Sequence, residues 1–144
     1  MLHRTLVFAL TLFAACALVH PAGARNAAKP SYPSVPLLST GTNVVGETIR
    51  YPQGAAHVTA AIVTLAPGGR TILHKHGVPL FAYILSGTLT VNYGKHGTRT
   101  YRQGEAFMEA MDVPHDGINS SKQPVRILAV YMGAQGAENV IPVK

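Results

Sequence analysis

Cysteine is almost missing from this chain of 144 residues: Cys16 stands alone, so no disulfide can form within the polypeptide. Tryptophan is absent, and only six acidic residues face twelve lysines and arginines. No apolar stretch is long enough for a membrane span. The most evident one, Leu6 to Val19, covers fourteen residues where a spanning helix needs about 20. The excess of positive charge is scattered over Arg50, Arg70, Lys75, Lys95, Arg99, Arg102, Lys122 and Arg126 and never forms a run. Such a distribution argues against a nucleic-acid partner and reads as a solvated basic surface. Helical periodicity is lacking as well: no stretch of ten or more residues beyond the apolar N-terminus keeps one apolar face at a period of 3.6.

What is present begins with a cationic start (His3, Arg4), the apolar stretch, and Ala22-Gly23-Ala24, small residues in the arrangement that a signal peptidase accepts. Residues 1–24 are therefore expected to be a secretory signal, with export to a bacterial periplasm or the extracellular space. A lipoprotein site at Cys16 is the weaker alternative, because Phe13 stands where leucine is usual. After cleavage no cysteine and no stable membrane span remain, and about 120 residues are left, enough for one domain with a modest core.

Residues 25–43 form a Pro- and Ala-rich arm carrying Pro30, Pro33 and Pro36. From residue 44 to 133 the chain alternates short runs rich in Val, Ile, Thr and Tyr with glycine-bearing breaks at Pro67-Gly68-Gly69, Ser86-Gly87, Gly94–Gly97 and Gln103-Gly104. Strands are predicted at residues 47–51, 57–65, 71–74, 81–85, 88–93, 98–102, 106–109 and 125–132, with a short one at 115–119. Closely spaced strands of this kind specify an all-β antiparallel sandwich or barrel. The tail, residues 134–144, has no strong pattern and is expected to be available to reach a neighbouring subunit.

Two histidines, His74 and His76, sit one residue apart in an otherwise apolar segment. In a strand, side chains i and i+2 share a face, their stems about 6.6 Å apart. Both rings can therefore lean toward one ion, while Lys75 faces away. An exposed strand with polar alternation explains the same spacing, so the pair alone decides little. Downstream, "QGEAFMEAMDVPHDGIN" places His115 eleven residues after Gly104 and four before Asn119.

Taken together, these segments resemble the two motifs of the cupin superfamily. Gly68, His74, His76 and Gly87 occupy the glycine and histidine places of the first motif; Gly104, His115 and Asn119 occupy those of the second. The resemblance runs from about residue 44 to 133 and implies an all-β cupin (jelly-roll) barrel in a single domain. It also implies a divalent metal ion (Fe, Zn, Ni, Cu or Mn) held by His74, His76 and His115, and a homodimer. It departs from the pattern at Leu80, where the first motif carries a glutamate ligand, and at Ala110 and Asp112, which replace a proline and a glycine. The implied set is thus three neutral imidazoles, similar to that of thiol dioxygenases and some carbon–carbon cleaving dioxygenases. Glu109 has three open roles: a fourth ligand, a general base, or a surface residue paired with arginine. Glu105 is read as structural, and His57 and His96 as solvated. If Leu80 faces inward, Ala82 and Ile84 do too. The expected function is a metal-dependent enzyme of dioxygenase, isomerase or lyase type acting on a small oxygen-bearing molecule. The alternatives are a non-catalytic cupin that binds metal or a small ligand, and a metal-free relic.

Overall fold

The computed structural model describes residues 32–144; the expected signal, Cys16 and the first part of the arm lie outside the described residues. Residues 32–34 are exposed and carry no helix or strand, and residues 35–144 make one compact unit. Its strands are β1 (Ala56–Leu65), β2 (His74–Lys75), β3 (Leu80–Ser86), β4 (Thr88–Asn92), β5 (Thr98–Arg102), β6 (Ala106–Met108), β7 (Asp116–Ile118), β8 (Val125–Ala134) and β9 (Ile141–Pro142). One 3-10 turn, Gly94–His96, joins β4 to β5. Among the described residues no helix is long and apolar enough to cross a membrane.

All pairings are antiparallel. A four-stranded sheet runs β1-β8-β3-β6, a three-stranded sheet β5-β4-β7, and a two-stranded ribbon β2-β9. Alternation along β3 follows the period of two: Leu80, Ala82 and Ile84 are buried, whereas Phe81, Tyr83 and Leu85 are half-buried on the other face. The core gathers Ile84, Leu89, Val91, Tyr93, Phe107, Val125 and Ile127 between the sheets. Tyr101 stacks on Phe107 with ring centroids 3.7 Å apart, closing the core beneath β5. Gly87 makes the β3–β4 reversal at φ 81°, and a Cβ there would lie 2.8 Å from the Pro124 carbonyl oxygen.

Asn119, fully buried, is a structural staple. Its Nδ2 donates to the carbonyls of Leu65 (3.0 Å), Ala66 (3.1 Å) and Gln123 (2.8 Å), and its Oδ1 accepts from the Ser121 N–H and hydroxyl. This explains the asparagine of the second motif without any role in chemistry. Asn119→Ala strands buried carbonyls and is expected to lower stability by about 2 kcal/mol, read as a shift in the urea midpoint with the slope unchanged.

Three elements differ from the sequence-based expectation. Residues 47–51 form no strand: only an isolated Thr42–Thr48 bridge appears, because side chains take over the bonding there. Asn43 Oδ1 accepts from the N–H groups of Val45 and Glu47, and the Glu47 carboxylate accepts from Met111 and Asp112. The tail also folds back onto its own chain. Residues 141–142 pair with β2, and the Val143 N–H donates to the Leu73 carbonyl at 3.0 Å. In place of the predicted strand at 71–74 stands the two-residue strand His74–Lys75, which pairs with this late segment.

Candidate metal centre

β2 and the turn entering β7 meet directly. His74 and His115 exchange both backbone hydrogen bonds (3.0 and 2.8 Å), and the His76 N–H donates to the Met111 carbonyl at 3.0 Å. The two motif segments are therefore neighbours in one ladder, which brings His74, His76 and His115 together. All three are buried; their ring centroids lie 4.6–5.1 Å apart, and one nitrogen from each falls within 4.8 Å of the others. A slight inward tilt brings such nitrogens to the roughly 2.0–2.1 Å that divalent ions take from imidazole.

The tautomer follows from the partners. Nδ1 of His74 bonds the Ile72 carbonyl (2.8 Å), Nδ1 of His76 the Asn139 carbonyl (2.8 Å), and Nδ1 of His115 the Val113 carbonyl (2.9 Å). A carbonyl only accepts, so each Nδ1 carries the proton and each Nε2 is left with its lone pair. His115 Nε2 is buried with no hydrogen-bond partner. Burial lowers the pKa of all three rings, that of His76 to about 4, which keeps them neutral and able to donate lone pairs. Donor type, tautomer and the orphaned nitrogen all fit a divalent ion.

Glu109 follows β6 and is 6 % exposed, so the surface role paired with arginine is ruled out. Its Oε2 lies 3.8 Å from His115 Nε2, and its Oε1 accepts from the Ala110 N–H at 2.8 Å. Burial raises its pKa to about 7, opposed by hydrogen bonding from Tyr93 and Ala110. The unfolded carboxyl ionises near 4.5 and the folded one near 7, so ionised Glu109 weakens the fold increasingly as pH rises through that window. In metal-free protein, Glu109→Gln is expected to leave stability unchanged at pH 4 and to raise it at pH 8 by up to about 3 kcal/mol. Denaturant titrations at the two pH values check this.

Leu80 and Ala82 line the cavity beside the histidines, and Ile84 continues the same face into the core, as β3 alternation requires. Glu105 is exposed and ties the turn by accepting from the Arg102 N–H; His57 and His96 are exposed. Three contributors escaped the sequence reading. Tyr93 and Tyr131 place their rings 5.6 and 5.8 Å from those of His115 and His76. Asn139 supplies a main-chain carbonyl from 63 positions away, for which the sequence carries no signal.

The fold and the site together define an all-β jelly roll with a histidine triad in its interior. Residues 61–131 match the family model described as "Cupin domain". The structure is similar to that of the polyketide cyclase RemF from Streptomyces resistomycificus, with TM-score 0.53 and 26% identity over 67% of this chain and 68% of that one. It is also similar to an oxalate decarboxylase from Lactobacillus farciminis (TM-score 0.52, 24% identity, 60% of this chain) and an oxalate oxidase (TM-score 0.51, 24% identity, 60%). These two likenesses concern the fold alone, and the chain spans only 26% and 46% of those proteins. No curated protein matches the sequence significantly. The chain belongs to the cupin superfamily.

Proposed function

We propose that this protein is an exported metal-dependent cupin in which His74, His76 and His115 hold one divalent ion, and that it acts as an enzyme of dioxygenase, isomerase or lyase type on a small oxygen-bearing molecule. The observation that carries the reading is His115 Nε2: buried, unpartnered, and grouped with two imidazoles whose other nitrogens are committed to carbonyls. Once bound, the ion supplies Lewis-acid polarisation or, for a redox-active metal, one-electron chemistry. Three neutral ligands leave its charge uncompensated, which favours an anionic ligand beside it. Glu109 stands next to His115, and with burial pushing its carboxyl up to about 7 in the metal-free chain it is placed to give or take a proton. Leu80, Ala82, Ile127 and Ala129 make the wall beside the triad apolar. The likeness to a polyketide cyclase supports the fold and does not carry that substrate to this chain.

A second reading, a binding cupin without turnover, is favoured by Leu80 standing at the place of the motif glutamate. Metal analysis of protein purified without chelator or histidine tag tests the first premise; absence of metal would overturn the enzyme reading and leave, of the second, only a binder of small ligands. A turnover screen of the loaded protein then separates them, because a pure binder shows affinity without product.

A homodimer is part of the proposal. It is supported by β1, a ten-residue edge strand without a single charge that leaves Val58 and Ile62 62% and 47% exposed. Ile62→Lys is expected to turn a dimer into a monomer in sedimentation velocity.

A further inference from the structure

The cavity below the histidines has a graded lining set by strand register. Leu80 pairs with Tyr131 next to the triad; one step inward, Ala82 pairs with both Ala129 and Phe107; the next step is Ile84 with Ile127. The two alanines of the middle step, Ala82 and Ala129, open a slot between a polar end and an apolar floor. Across the slot, Val91 pairs with Gly117, and a Cβ at Gly117 would lie 3.2 Å from Leu89, so that wall is packed already. The polar groups of the lining are the three histidines, Glu109, Thr71 and Tyr131; no lysine or arginine contributes. Thr71 Oγ1 accepts from the Gly117 N–H at 2.9 Å. His115 Nε2, buried and unpartnered, is the polar atom aimed into this space.

Size and polarity then select the ligand. An apolar cavity of roughly 150 Å³ accepts benzene, about 25 Å³ per carbon. On that scale the 90 Å³ here holds about four non-hydrogen atoms, with a little more gained by side-chain adjustment. A second charged or hydroxyl group on the far end would lie against Ala82, Ala129, Phe107 and Ile127 with no partner, at the cost of its hydration. We infer that the site takes a short aliphatic monoanion: one oxygen-bearing head at the triad and a tail of one or two carbons without polar substituents. This rests on the metal reading above and goes beyond it by naming the ligand class.

The test uses cobalt(II)-loaded protein, its cobalt content measured first, titrated with formate, acetate, propionate, butyrate, hexanoate and 3-hydroxypropionate. Binding is followed by the visible ligand-field bands and by calorimetry. Affinity is expected to rise roughly fourfold from acetate to propionate, and to have stopped rising by hexanoate. 3-Hydroxypropionate, the same size as butyrate, is expected to bind at least about tenfold more weakly. Ala129→Val narrows the slot and should flatten the series beyond acetate; Ile127→Val deepens it and should move the optimum toward longer acids. Less than one cobalt per chain overturns the metal reading and this proposal with it. Full cobalt with a flat series, or with 3-hydroxypropionate equal to butyrate, overturns the ligand class alone. The wild-type series decides even if a variant fails to fold.

Discussion

His115→Ala is expected to reduce bound metal from about one ion per chain to less than about a tenth of that, measured by plasma emission after gel filtration. The substitution deletes the Nε2 that is fully buried without a hydrogen-bond partner and leaves two imidazoles, both from the segment 74–76. Two neutral ligands retain too little of the binding free energy to survive gel filtration. The fold is expected to persist, because residue 115 joins the ladder through its main-chain N–H and carbonyl, which alanine keeps. Far-ultraviolet dichroism therefore accompanies the measurement. A folded variant that still carries stoichiometric metal would show that the triad is a packed histidine cluster and nothing more.

Gly77→Ala is expected to weaken metal binding about 10–100-fold although residue 77 touches no ligand. A Cβ at this position would stand 2.5 Å from the Glu138 carbonyl oxygen and 3.3 Å from Ile141 Cδ1. Main chain cannot yield locally as a side chain can, so the segment from 138 to 142 must lift away from β2. With it goes the Asn139 carbonyl that holds His76 Nδ1, and His76 loses both its fixed tautomer and its ring orientation. A chain ended after Ala137 removes the same carbonyl and should reproduce the loss. If competition with a chromogenic chelator gives wild-type affinity for both proteins, the tail has no part in positioning His76.

Much of this site is legible in the sequence. The resemblance to the two cupin motifs marks the glycines at 68, 87 and 104 and the histidines at 74, 76 and 115, and it marks Leu80 as an apolar residue at a ligand position. Glu109 was not assignable, because its side depends on how the chain leaves β6, and one irregular residue reverses the face. The structure turns it inward beside His115. The stretch 47–51 looked like a strand from its residues, yet the Glu47 carboxylate has partners at 111 and 112, far along the chain. The tail looked patternless because its function lies in its backbone: two residues of ladder and one carbonyl.

By itself the amino-acid sequence determined what local geometry controls: the period of two that sets His74 and His76 on one face, the reversals at glycine, and the apolar inner face of β3. Only the tertiary structure decided that His74 and His115 are ladder partners, that a carbonyl from the C-terminal segment orients His76, and that a buried carboxyl completes the lining. The difference is physical. Covalent spacing fixes which way neighbouring side chains point, whereas contacts across dozens of residues depend on sheet register, which the whole chain settles together.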